Sequence, residues 1–155
     1  MSNTDAPRRR DADDRPRPAL IAPTPAGPLG VPDAAGVLRS IEVALAAARK
    51  GRRHLTLVNI QVNGEAADRE VVLHQVAGMV RNMVRASDGI WRDSPSSIAV
   101  LLADVDGPTV EPVVARIRLR LKDGLPGRTR MGRAAAPPGV GAADLLELAR
   151  GDAER

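Results

Sequence analysis

The sequence predicts an α+β fold, an α/β sandwich with a ferredoxin-like βαββαβ core whose antiparallel-containing sheet is covered by helices. Three observations lead there. Apolar residues beyond position 33 switch between helical and strand periods in the order helix, β-α-β-β-α-β, helix. The switches fall at Gly, Pro, Asn-Gly and Asp/Ser punctuation. The length, 155 residues, suits one domain with a core of ordinary size.

Each element has its own pattern. Val37, Leu38, Ile41, Leu45 and Ala48 recur at helical spacing, with Asp33 as candidate N-cap and Gly51 as stop. Residues 55–62 (Leu-Thr-Leu-Val-Asn-Ile-Gln-Val) form a short, β-branched run closed by Asn63-Gly64, the mark of a buried strand. Val72, Val76, Met79, Val80, Met83 and Val84 predict a helix over about 66–86. Residues 89–92 and 98–102 predict two strands around the turn Asp93-Ser94-Pro95-Ser96. Val110, Val113, Val114, Ile117 and Leu121 predict a second long helix ending near Gly124. Residues 128–135 are a weaker, Arg-bearing strand before Pro137-Pro138-Gly139, and Ala143, Leu145, Leu146 and Ala149 open a last helix.

Residues 1–33 predict a disordered tail ahead of a domain spanning 34–155. Seven of the 13 prolines lie in that tail, where five Arg face five Asp, so it is net neutral and short of apolar groups. Arg8-Arg9-Arg10 reads as a solvated run rather than a docking site.

Composition excludes several functions. With no Cys there are no disulfides, thiolate zinc sites or cysteine nucleophiles. No run of 18 apolar residues is present, and the start lacks an apolar stretch behind basic residues, so no membrane span and no secretory signal are expected, and the expected compartment is the cytoplasm. The sequence pI near 10.8 permits a polyanion partner. However, 21 of the 23 cations are Arg in a chain rich in Ala, Gly and Pro, which reads as coding bias rather than selection for phosphate.

Residues 88–102 (Asp-Gly-Ile-Trp-Arg-Asp-Ser-Pro-Ser-Ser-Ile-Ala-Val-Leu-Leu) resemble the hairpin of GGDEF domains, the catalytic domains of diguanylate cyclases. Ser94-Pro95-Ser96-Ser97-Ile98 stands where the five signature residues would be. Leu57-Val58-Asn59-Ile60-Gln61 is similar to that family's first strand, which normally carries an Asp-x-Asp metal end. Arg130-Met131-Gly132-Arg133-Ala134 sits where a Ser-Ile-Gly-Val-Ala strand would be, and Asp144-Leu145-Leu146 resembles the start of the closing helix. The likeness covers about residues 36–150 and implies a core of nucleotidyl-cyclase type and a role in bacterial cyclic di-GMP signalling.

The departures bear on chemistry. Cyclisation of this kind uses divalent ions that bridge phosphates and activate a hydroxyl, and Mg²⁺ asks for hard anionic oxygens. At the aligned positions stand Asn59, Gln61, Ser96 and Ser97. Ser94 and Pro95 replace the glycine pair that lets backbone approach phosphate, and Pro95 removes an N–H. The expectation is a degenerate domain without catalytic residues, metal or cofactor. Asp104 and Asp106 lie a strand length, roughly 20 Å, from the turn and read as a helix-capping loop. Asp93 is beside the turn without an evident carboxylate partner.

One further motif is similar to the family's. Arg85-Ala86-Ser87-Asp88 is an Arg-x-x-Asp with five residues between Asp88 and Ser94, the spacing of the family's inhibitory cyclic di-GMP site. A guanidinium fork grips phosphate or a guanine edge and a carboxylate accepts guanine N–H groups. Arg116 corresponds to a further arginine of some relatives. The bland reading is a helix exit, with Arg85 on the helix dipole and Asp88 opening a turn.

The function expected is therefore a catalytically inactive regulatory domain that binds a protein partner or cyclic di-GMP, with a homodimer compatible with either. The competing classes are an active nucleotide-handling enzyme with an unorthodox site and an RNA-binding module of the same topology. The latter needs aromatics on its central strands, and Trp91 is the only aromatic in the chain. His54 and His74 lack the spacing of a metal pair.

Overall fold

The computed structural model describes residues 36–85, 88–103 and 107–155. The predicted tail, Asp33 as N-cap, Ala86-Ser87 and the pair Asp104/Asp106 lie outside the described residues. The elements are α1 (Val37–Gly51), β1 (Leu55–Val62), α2 (Ala66–Arg81), β2 (Gly89–Ser94), β3 (Ser97–Ala103), α3 (Gly107–Gly124), β4 (Thr129–Ala135) and α4 (Ala142–Ala153).

The strands make one sheet in the order β2-β3-β1-β4, each neighbour antiparallel. This is the split βαβ arrangement, with β3 inserted between β1 and β2. β1 is central because nearly every residue in it can be buried. Val58, Ile60 and Val62 point to one face, and Leu55 and Leu57 to the other. On the first face they join Ile98, Val100 and Leu102 of β3 beneath Val72, Val76 and Val80 of α2 and Val114, Ile117 and Leu121 of α3. On the second face Trp91, Ala99 and Leu101 pack under Ile41 and Leu45 of α1 and Leu145 and Ala149 of α4. Each fully buried Leu or Ile is worth about 1.5–3 kcal/mol relative to exposure. Among the described residues, no helix is long and apolar enough to cross a membrane.

Two boundaries differ from expectation. The helix expected over 66–86 ends at Arg81. Met83 and Val84 continue the apolar pattern, but the Met83 and Val84 amides both return to the Val80 carbonyl, and the Arg85 amide donates to the Asp88 carboxylate at 2.9 Å. Those amides close a turn, so the chain leaves the helix while its apolar side chains still reach the core. The hairpin is also tighter than expected: Asp93 and Ser94 belong to β2, and only Pro95-Ser96 connect the strands. The register slips between Arg92 and Ser94, a bulge at the strand end.

The end of α1 carries a local strain. Arg52 adopts φ 56°, ψ 44°, the left-handed conformation that glycine usually supplies after a helix, while Gly51 stays helical. At the other end of the chain, α4 lies so close to β4 that a Cβ on Gly132 would overlap the backbone of Ala149 and Ala153. Glycine there is a packing requirement.

Candidate functional site

The tip of the β2–β3 hairpin lies beside the end of β1, because Asn59 pairs with Ala99 and Gln61 with Ser97 across the ladder. Strand alternation turns Asn59, Asp93 and Ser97 to the α1/α4 face, and all three are buried. They converge on one carboxylate. Asp93 has a fully buried side chain. Its Oδ1 accepts the Ser97 hydroxyl at 2.6 Å. Its Oδ2 accepts Asn59 Nδ2 at 3.2 Å and Arg150 Nη2, from α4, at 3.1 Å. Because Ser97 gives its proton to Asp93, the Ser94 hydroxyl must donate to Ser97 Oγ, 2.6 Å away. Ser94 Oγ in turn accepts the Ser96 amide at 3.2 Å, and Gln61 Nε2 donates to Asn59 Oδ1 at 3.0 Å.

The network therefore joins Asn59, Gln61, Ser94, Ser97 and the amide of Ser96, all positions read from the sequence as degenerate active-site positions. Pro95 is exposed and contributes its carbonyl, which Arg92 Nη2 reaches at 3.0 Å. Arg92 also grips Glu70 of α2 through two nitrogens, at 2.9 and 2.8 Å. That hydrogen-bonded guanidinium holds the Glu70 carboxyl below the usual glutamate range against the opposing effect of desolvation, and the Arg92, His74 and Arg69 charges add to the lowering. The Val62 amide donates to the Ser96 carbonyl at 2.8 Å, which ties the turn to β1.

The sequence did not reveal Asp93 as the centre of this network, nor Arg150 as its cation. Their bonds span 34 residues to Asn59 and 57 residues to Arg150, and no local pattern marks such pairs. Among the described residues, no group of three His, Cys, Asp or Glu side chains is placed to hold a metal ion.

Arg85, Asp88 and Arg116 do come together. They line one cavity of about 230 Å³, with Met83, Leu102 and Val113. Asp88 is held mainly by backbone: Oδ2 accepts the Arg85 amide at 2.9 Å and Oδ1 the Ala103 amide at 3.0 Å, while Arg85 Nε stands 3.9 Å from Oδ2. The Arg85 side chain is half exposed and donates to the Ala103 carbonyl at 2.6 Å. Arg116 has no hydrogen-bond or ion-pair partner among the described residues. His54 lies exposed ahead of β1, and His74 on α2 meets the Glu70 carbonyl at 2.9 Å, so the two histidines do not form a pair.

No protein-family model and no curated protein matches this sequence. Solved structures do match. The GGDEF domain of YfiN (TpbB) from Pseudomonas aeruginosa is 25% identical, with 84% of this chain and 87% of that chain covered and a TM-score of 0.69. The GGDEF domain of DgcB from Caulobacter crescentus, solved with c-di-GMP, is 14% identical over 90% of this chain and 92% of that one, TM-score 0.70. The diguanylate cyclase SiaD from Pseudomonas aeruginosa, solved with its activator SiaC, is 16% identical over 83% of this chain and 56% of that one, TM-score 0.71. This chain thus shares the fold of these GGDEF domains.

Proposed function

We propose that this chain is a catalytically inactive GGDEF-like domain that works by binding, with cyclic di-GMP as ligand of the Arg85/Arg116 cavity. The observation that carries the first half is the sealed Asp93 carboxylate. Mg²⁺ needs anionic oxygens with free lone pairs in near-octahedral geometry. The hairpin offers amides, hydroxyls and one buried carboxylate already held by Ser97, Asn59 and Arg150. This donor set does not fit the ion. Pro95 further removes an N–H from the turn.

The second half rests on three residues brought to one cavity, with the Arg116 guanidinium unpaired among the described residues, and on the likeness to DgcB, whose structure holds c-di-GMP. Since both Asp88 oxygens serve backbone amides, recognition falls to Arg85 and Arg116, whose forks suit phosphate oxygens and the acceptor edge of guanine. SiaD is solved with a protein activator, and a protein partner is the second form that action by binding takes.

Two measurements test this. Incubation with GTP and Mg²⁺ gives no cyclic di-GMP, and measurable synthesis would refute inactivity. Titration with labelled cyclic di-GMP saturates, and Arg85→Ala and Arg116→Ala each weaken it at least tenfold. Absence of saturation, or unchanged affinity in both variants, ends the ligand assignment.

A further inference from the structure

A larger cavity lies at the opposite end of the sheet from the hairpin turn. It has a volume of about 550 Å³ and opens between the end of α1, the start of β1, the end of β4 and the first turns of α3. It shares no residue with the Arg85 cavity. Its volume is that of small-molecule pockets in general. Leu45, Leu55 and Val110 give it an apolar wall, and Arg49, Arg52, Arg53 and Arg133 stand around it against a single acid, Glu111.

Three features set these cations apart. Arg49 and Arg52 have no hydrogen bond or ion pair from their side chains among the described residues. Arg133 pairs through Nη2 with Glu111, yet its Nη1 is buried and has no hydrogen-bond partner. A buried unsatisfied donor on a cation is costly. Arg52, finally, holds the left-handed backbone conformation that places a side chain where a glycine would be unstrained. Strain kept at a cavity mouth is a reason to look for function there.

We propose that this cavity binds a phosphorylated small molecule of mononucleotide size. Arg49 and Arg52 hold its phosphate, and the apolar wall takes its base. Guanidinium forks match phosphate oxygens in charge and geometry.

The test uses the full chain and fluorescent N-methylanthraniloyl-GMP, with GMP and guanosine as competitors. The expected result is saturable binding that GMP displaces and guanosine, lacking phosphate, displaces at least tenfold less well. Arg49→Ala and Arg52→Gly each weaken binding at least tenfold. Arg52→Gly also melts no lower than the parent, because glycine accepts that backbone freely, so its loss of binding is not a loss of fold. Arg85→Ala leaves the affinity unchanged, which separates this cavity from the one proposed for cyclic di-GMP. No saturation, equal competition by guanosine, parental affinity in both the Arg49 and Arg52 variants, or loss of binding in Arg85→Ala would each overturn the proposal.

Discussion

Arg150 of α4 donates to Asp93 at the hairpin tip, Nη2 to Oδ2 at 3.1 Å, and the carboxylate it meets is fully buried. The pair fastens the closing helix to the hairpin turn. Its two halves are unequal: Arg150 is about one-third exposed and can hydrate if left alone, whereas Asp93 cannot. Truncating the cation strands a buried charge, a change that costs about 3–5 kcal/mol in fully buried pairs. With Ser97 and Asn59 still donating and Arg150 partly solvated, the expected loss for Arg150→Ala is about 2 kcal/mol. Asp93→Asn removes the buried charge and should cost less. Urea denaturation of both variants measures this, and an Asp93→Asn loss larger than that of Arg150→Ala would contradict the unequal burial.

Asn59 offers a sharper probe of the same network. Its Nδ2 donates to Asp93 Oδ2, so Asn59→Asp replaces a buried donor with a second buried carboxylate about 3 Å away. Two such groups cannot both stay ionised without penalty. At neutral pH the variant should lose about 2–4 kcal/mol. The loss should shrink on acidification, as one carboxyl takes a proton and donates again. Mg²⁺ should not restore stability, because the guanidinium already occupies Asp93. Rescue by Mg²⁺ in urea denaturation would show that a metal site had been recreated and would count against the incompatibility argued for the parent.

The order of elements was legible because period-2 and period-3.6 patterns alternate cleanly, and Asn63-Gly64 and Gly124 punctuate them as expected. Helix α2 was overrun because Met83 and Val84 stay apolar and in phase, while the group that ends the helix, the Asp88 carboxylate on the Arg85 amide, leaves no periodic trace. The cluster Arg85, Asp88 and Arg116 was legible through the family likeness, but the consumption of Asp88 by two amides was not. Arg150 is one arginine among 21, and only the folded chain distinguishes it.

Glu70 and Arg92 make stability depend on acid in a definite direction. The bidentate guanidinium holds the Glu70 pKa below its ordinary value in the folded chain. A depressed folded pKa means that the unfolded chain binds the proton first, so the contribution is present above the unfolded value of about 4.3 and is lost as pH falls through the lower folded one. Glu70→Gln should therefore be less stable than the parent near neutral pH, and the gap should close on acidification below pH ~4. A gap that persists or widens in acid, measured by urea denaturation across that range, would show that the pair is not the source.

Gly132 tests the packing that carries α4, and with it Arg150, to the hairpin. It sits on β4 opposite Asn59, and a methyl group there would meet the backbone of Ala149 and Ala153, which has no rotamer to yield. Overpacking against backbone costs about 1–3 kcal/mol, sometimes more, because a whole element must shift. Gly132→Ala should lose at least that much. It should also lower the coupling between Arg150 and Asp93, since displacing α4 lengthens their contact. A double-mutant cycle of Arg150→Ala with Gly132→Ala reads that coupling: the two losses should sum to more than the loss in the double variant. Strict additivity would mean that α4 can move away from β4 without carrying Arg150 from the turn.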